Sequence, residues 1–499
     1  MYFIWNFQLL LYSDCDFIFL LYSMKLFVYN TLTRQKEEFI PLMEDPKYKG
    51  PKKDFVGMYS CGPTVYWDPS IGNYRATFTA DLIRNTLKLL GYKVQAVMNI
   101  TDVGHLVSDA DDGEDKLEKW AKREWITARE VAQKYEKIFK EGMKLLHIDE
   151  FDVMPRATEH IKQQIELVKT LEEKWYTYIV EWDGIYMDTS KVENYGELMW
   201  PNYKKRLADL NAGERVEMGG KKHPTDFALR KFSPTGEQRQ MERDSPWGKW
   251  FPGWHIECSA MSSKYLWQQF DIHHGGADHI TIHHPNEIAQ SECGFDVHPR
   301  VKYRIHNEFL QVDGGKMSKS LGNVYNLKDI EAKGFSPLDL RYFYFMAQYS
   351  NFQNFTWDQL EAAKTTRHAL IKKLQWKRIV KDKKDFESDP FFQQIIEAIC
   401  DNMNTPKLLA AVQWTLNSVN EHTYAIITWL EDNFLKLWLF ETIIEEKFDI
   451  PAEVTSLADQ RVEAKKNKDY ALADELRNNI AAAWFQLKDT KDGYEITKN

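Results

Sequence analysis

Residues 55–102 read "FVGMYSCGPTVYWDPSIGNYRATFTADLIRNTLKLLGYKVQAVMNITD", and their patterning decides the fold class. "FVGMYSCG" is a short apolar run ending at a Gly-Pro turn, the signature of a buried strand. "ATFTADLIRNTLKLLGY" carries Leu82, Leu87 and Leu90 at helical spacing and meets a stop signal at Gly91. "KVQAVMNITD" is a second buried strand. Strand, turn, helix and strand in that order make a βαβ unit. The expected fold is therefore α/β with a parallel sheet, and any ligand would lie at the carboxyl ends of its strands.

The remainder of the chain is organised around that unit. At 499 residues it is too long for one hydrophobic core. Residues 106–180 are charged and helix-prone, and a turn-rich stretch follows. Apolar segments and glycines return at 251–325, and after Pro337 the pattern is helical. The first 23 residues, "MYFIWNFQLLLYSDCDFIFLLYS", contain no Lys or Arg, and Asn6, Gln8, Asp14 and Asp16 interrupt their apolar run. They make a poor membrane span and a poor signal peptide, and read as upstream sequence outside the working protein.

A net charge of −9 argues weakly against a polyanion partner, because a local basic face is enough to hold phosphates. The five cysteines, Cys15, Cys61, Cys258, Cys293 and Cys400, are scattered and odd in number. That pattern disfavours a disulfide framework and points to a reducing cytoplasm.

The strongest short motif is "VDGGKMSKSLGN" at 312–323. Its glycines give a hinge, and Lys316 and Lys319 offer two ammonium groups three residues apart. Such a loop can close over a triphosphate and stabilise the charge on a departing phosphate. Lys316–Ser320 resembles the second nucleotide-binding motif of class I aminoacyl-tRNA synthetases. Pro63–Asn73, ending "SIGN", falls where their first motif lies. The chain is most similar to the cysteinyl-tRNA synthetase family, through "YNTLTR", "CGPTVY", "MNITDVGH", "DSPWG", "PGWHIECSAMS", "HHPNEIAQSE", "GGKMSKSLGN", "NTPK" and "LKDTKDG" in order from Met24 nearly to the end.

The resemblance implies a zinc ion held by Cys61, Cys258, His283 and Glu287. Read from the residues alone, both cysteines could equally be small buried apolar side chains. His283 and Glu287, four apart where Pro285 can open a helix, would project from one face. Two thiolates, an imidazole and a carboxylate suit Zn²⁺. The zinc would select substrate, because cysteine and serine differ only by sulfur for oxygen and a pocket's shape separates them poorly.

The resemblance further implies that Gly62, Thr64, Thr101, Trp254 and His273 line the amino-acid pocket, with His274, His279 and His284 as polar neighbours. It places Asp278 against the adenosine ribose and gives Gly72, Asn73 and Lys319 to ATP. Lys316, Lys319 and Ser70 would be catalytic. Ser70 departs from the family, which has histidine there. Losing one donor to a developing charge costs on the order of 10²–10³ in rate unless another compensates. Arg230, where tryptophan is expected, and Arg243 depart as well.

The fold implied is α/β, a doubly wound Rossmann-type catalytic core in two halves, 24–145 and 246–324, split by a connective insertion at 146–245. A connecting region at 325–345 and a mainly α-helical anticodon-binding domain with its C-terminal tail at 346–499 would follow. The activity implied is that of an ATP-dependent ligase joining L-cysteine to tRNA(Cys), with one zinc per chain, Mg²⁺ accompanying ATP, no membrane association and a monomeric chain. Two rival readings are a cysteine:amino-sugar ligase, which would not need the long helical extension, and a silent paralogue that binds cysteine, zinc or tRNA without turnover.

Overall fold

The computed structural model describes residues 24–51, 53–103, 116–199, 220–232, 242–318, 321–440, 451–483, 485–490 and 493–498. The upstream-extension reading of residues 1–23 falls outside them.

A four-stranded parallel sheet stands at the centre. Its strands are β1 (Val56–Ser60), β2 (Val94–Met98), β3 (Phe270–Gly276) and β4 (Val301–Asn307), in the order β4-β3-β1-β2. Val56 pairs with Val94 and Ser60 with Met98 across β1 and β2, while His274 pairs with Ser60 across β3 and β1. Every residue of β1 is buried, as expected of a parallel strand covered on both faces. The underlying core includes Tyr59, Val97, Met261, Phe270 and Val301.

Helix α1 (Ile71–Leu89) joins β1 to β2 on one side of β1. The chain later returns to lay β3 on the other side. The strand order thus reverses between β1 and β3, which opens a crevice at their carboxyl ends. Helix α1 starts earlier than its leucine spacing indicates, because Ser70 caps it. Ser70 Oγ accepts from the Asn73 backbone N–H at 3.2 Å, and Asn73 Oδ1 accepts from the Ser70 N–H at 2.9 Å, a reciprocal capping box. Helix α2 (Trp254–Leu266) precedes β3, and α3 (His283–Phe295) lies between β3 and β4.

Between the two halves of this sheet, the turn-rich stretch folds as a five-stranded antiparallel sheet that runs from Thr177 to Pro252. Arg230 lies fully buried in it, with its guanidinium over the rings of Phe232, Trp247 and Trp250 at 4.6–5.1 Å. A flat cation stacked among aromatic rings takes the place the resemblance gives to tryptophan. Nothing comparable in the structure explains Arg243.

Beyond β4 come a small three-stranded sheet and a series of helices that includes Trp357–Leu374, Pro390–Cys400 and Thr405–Asn417. They belong to the same compact unit as the central sheet, which extends to Glu441. The second unit, Thr442–Asn499, contains helices Ala452–Lys466 and Tyr470–Ala482 and an antiparallel hairpin, Phe485–Thr490 with Gly493–Lys498. The two helices match the charged helical pattern of the sequence. The hairpin was not expected: its alternation, with Phe485 and Leu487 buried and Gln486 and Lys488 exposed, spans too few residues to stand out.

Candidate active site and metal centre

The crevice at the switch point holds a cavity of about 680 Å³. Each of its walls comes from the end of a strand or the start of a helix. Cys61, directly after β1, leads into Gly62, Pro63 and Thr64; Thr101 follows β2; Asp278 follows β3; and Ser70, Gly72 and Asn73 form the start of α1. Trp254 and Cys258 on α2 and His283 on α3 close the inner end, and Lys316 reaches in from the small sheet. Most of the predicted site residues therefore line one space. Glu287 and His273 lie buried behind its wall, and Lys319 is outside the described residues.

Gly62 is fixed by the backbone. A Cβ there would come 1.7 Å from the carbonyl oxygen of Asn99, and its N–H donates to Asn99 Oδ1 at 2.8 Å. The Asn99 amide in turn donates to Thr101 Oγ1 at 3.0 Å, so one side chain sets both lining residues. At Gly72 a Cβ would find only ordinary contacts with Ser70 and Met317 at 3.5–3.8 Å. No protein atom demands glycine at that position.

The potential metal donors converge. Donor atoms of Cys61, Cys258, His283 and Glu287 all lie within 4.8 Å of one another. The four-residue spacing on α3 brings His283 Nε2 to 2.9 Å from Glu287 Oε1, although the helix begins at His283 itself and Pro285 is its third residue. A second group, Cys61, His273, His284 and Glu287, meets the same distance criterion. His273 and His284 place Nε2 at 3.4 and 3.3 Å from Cys61 Sγ.

Burial governs the ionisation of these groups. It pushes the Cys61 thiol well above its usual range and raises Cys258 as well. It holds the Glu287 carboxyl up at about 7 and keeps His273 and His284 neutral. Glu287 Oε2 is buried without a hydrogen-bond partner. Neutral imidazoles, protonated thiols and an under-satisfied carboxylate are what a dication would convert to a matched donor set. The buried guanidinium groups of Arg300 and Arg304 oppose the rise at Glu287 and supply positive charge behind the site. The residues present fit a zinc ion.

The residue next to Trp254 has a part that its sequence did not announce. His255 Nδ1 lies 2.9 Å from His283 Nδ1, so His283 can direct only Nε2 toward the donor cluster. His306 does the same for His284, with Nε2 2.7 Å from His284 Nδ1, and is itself bonded through Nδ1 to Thr31 Oγ1 at 2.9 Å. Replacing His255 with alanine is expected to weaken metal affinity by about 10–100-fold, measured by competition with a chromogenic chelator at fixed pH.

Ser70 has its hydroxyl hydrogen engaged: Oγ lies 2.8 Å from Asn73 Oδ1 while accepting from the Asn73 N–H. Its role in the fold is that of a cap. Ser70→Ala is expected to lower the unfolding free energy by about 1 kcal/mol, read from urea denaturation.

The loop that carries Lys316 turns at Asp313 and Gly314, both left-handed, and pairs Lys316 with Gln311. Asn323 fastens it, accepting from the Ser318 N–H at 2.8 Å and donating to the Lys316 carbonyl at 3.1 Å.

Residues 48–365 match the family described as tRNA synthetases class I (C) catalytic domain. Cysteine–tRNA ligase 1 of Burkholderia lata is 41% identical over 482 residues, covering 95% of this chain and 97% of that protein. The cysteine–tRNA ligase of Treponema denticola is 39% identical, with 93% and 98% covered. The chain belongs to the cysteine–tRNA ligase family. Among solved structures, the methionyl-tRNA synthetase of Mycobacterium tuberculosis in complex with methionyl-adenylate superposes with a TM-score of 0.52 at 13% identity, over 78% of this chain and 89% of that one. At that identity the likeness concerns the fold alone. Among the described residues, no helix is long and apolar enough to cross a membrane.

Proposed function

We propose that the chain activates L-cysteine with ATP and transfers it to tRNA(Cys). The observation that carries this reading is the convergence of Cys61, Cys258, His283 and Glu287 on the wall of the cavity that Lys316 and the start of α1 also line. Of the two possible donor groups, only this one has members other than Cys61, namely Cys258 and His283, that face the open cavity. That favours it for an ion that must meet a substrate. Zn²⁺ bound there would offer a soft acceptor for a thiolate, which an alcohol at neutral pH does not match.

The chain's own groups account for the rest. At the start of α1 the Ile71 N–H is bonded to the Tyr325 carbonyl and the Asn73 N–H to Ser70 Oγ, which leaves the Gly72 N–H, with Asn73 beside it, to meet a phosphate of ATP. The Asp278 carboxylate suits a ribose hydroxyl, and Mg²⁺ would enter with the nucleotide. The cysteine carboxylate attacks the α-phosphate, forming a C–O–P linkage as the bond to pyrophosphate breaks. Charge then builds on the departing pyrophosphate, where the ammonium of Lys316, and that of Lys319, would stabilise it. Because the Ser70 hydroxyl is committed to Asn73, the lysines and the Gly72 N–H carry what the family's histidine would supply. A terminal ribose hydroxyl of tRNA then attacks the activated carbonyl and releases AMP. Gly62, Thr64, Thr101 and Trp254 bound the space for the amino acid, with His273 behind it. Residues 325–345 would connect the catalytic halves, 24–145 and 246–324, to a tRNA-reading region at 346–499, and 146–245 is the insertion.

The test is cysteine-dependent ATP–pyrophosphate exchange followed by charging of tRNA(Cys). Exchange and charging are both expected. Exchange without charging would favour the amino-sugar ligase, and no exchange would favour a silent binder.

A further inference from the structure

Two contrasting groups stand out among the described tryptophans. Trp250, Trp357 and Trp429 pack into aromatic clusters: Trp250 is fully buried, Trp357 touches Tyr325, Phe335 and Phe355, and Trp429 touches Phe386 and Phe392. Trp125, Trp175, Trp182, Trp267, Trp376 and Trp438 instead have left-handed backbone, with φ between 56° and 69°. Four of them, Trp125, Trp175, Trp182 and Trp376, are 80–93% exposed.

Left-handed backbone drives the Cβ of an L-residue toward the following carbonyl. Only a few per cent of non-glycine residues adopt it, and bulky ones are outliers. Among the chain's 17 tryptophans roughly one at most should do so. Among the described residues six do, out of fourteen non-glycine residues with positive φ, and no other residue type occurs there more than twice.

At Trp125, Trp175 and Trp376 the hydrogen bonding marks a glycine position, and at Trp267 the backbone angles do. At the end of helix Ile161–Glu173, Trp175 N donates to Glu172 O at 2.9 Å and Tyr176 N to Leu171 O at 3.0 Å. This helix ending places a left-handed residue, most often glycine, where Trp175 stands. At Gly91, with φ of 90°, the same two bonds close the end of α1. Past Trp125, Ile126 N reaches Ala121 O in the same way at 3.2 Å. Trp376 is third in a turn closed by Lys377 N on Leu374 O at 3.0 Å, after Gln375 at φ −44° and ψ 128°. That is a type II turn, whose third position calls for glycine. Trp267, at φ 69° and ψ −175°, occupies a region essentially confined to glycine.

Tryptophan is a residue whose reading depends on the genetic code in use. UGG always specifies it, whereas UGA is a stop in the standard code and tryptophan in several variants. UGA differs from the glycine triplet GGA only in its first base, so a glycine tRNA altered at one anticodon base would decode it. The chain also holds 24 glycines, where about 7% of an average chain of this length would be roughly 35.

We propose that the six left-handed tryptophans correspond to a triplet that the producing cell reads as glycine, so that its working chain carries glycine at positions 125, 175, 182, 267, 376 and 438, and tryptophan at 250, 357 and 429. The inference is independent of the catalytic reading.

Peptide mass spectrometry of the chain isolated from the producing organism, set beside the codons of its gene, tests this. Expected are UGA and glycine at the six positions, with UGG and tryptophan at 250, 357 and 429; UGG or tryptophan at the six would overturn the proposal. A second measurement compares the chain as written with the combined variant W125G, W175G, W182G, W267G, W376G and W438G, both made in a host with the standard code from UGG and GGA triplets. The variant is expected to unfold several degrees higher, while W357G unfolds lower. An equal or lower midpoint for the combined variant would overturn it.

Discussion

Replacing Cys258 with alanine is expected to abolish stoichiometric zinc and to lower kcat/KM for cysteine activation by about 10³-fold or more, beyond the 10–100-fold that loss of an orienting neighbour costs. The side chain is buried on α2, among the donors of Cys61, His283 and Glu287. Its removal would take one of two soft ligands from the proposed set and leave a buried carboxyl facing the gap. Metal content by atomic absorption and the exchange rate with cysteine and with serine are the measurements. The preference for cysteine over serine should fall with the zinc. A variant that keeps full metal and full discrimination would remove the metal from the selection of substrate.

Lys316→Ala is expected to lower the rate of adenylate formation by about 10²–10³-fold while leaving the KM for cysteine nearly unchanged. Lys316 lines the outer part of the cavity, away from the buried donors, and its backbone is held by Gln311 and Asn323 whatever its side chain. The loss should therefore be confined to charge stabilisation in the transition state. Pyrophosphate exchange across a range of cysteine concentrations separates the two parameters. A rise in KM at constant kcat would make Lys316 a binding residue instead.

The part of this molecule legible in its sequence is the part set by local pattern. The apolar run at Val56–Ser60, the leucines of α1 and the second apolar run at Val94–Met98 suffice to give β1, α1 and β2, because a buried parallel strand and an amphipathic helix each leave a periodic trace. The four donors were named only through family resemblance. No local rule ties Cys61 to Cys258, since their meeting depends on the return of the chain from α1 to β3 on the far side of β1. His255 was equally unreadable: its contact with His283 joins two helices whose relative placement no short stretch of sequence encodes. Ser70 was readable in principle, since a serine three residues before Asn73 at the head of an apolar helix is a capping signature, yet the histidine expected there by resemblance drew the reading toward catalysis.

The donor cluster also bears on folding. Cys61 belongs to the part of the chain before the five-stranded insertion, and Cys258, His283 and Glu287 to the part after it. An ion held by all four would act as a clasp across the seam between β1 and β3, fastening two sequence-distant segments at one point. Chelation should then loosen the sheet where the amino acid docks, so that drift in amino-acid choice and loss of mechanical integrity would arise together.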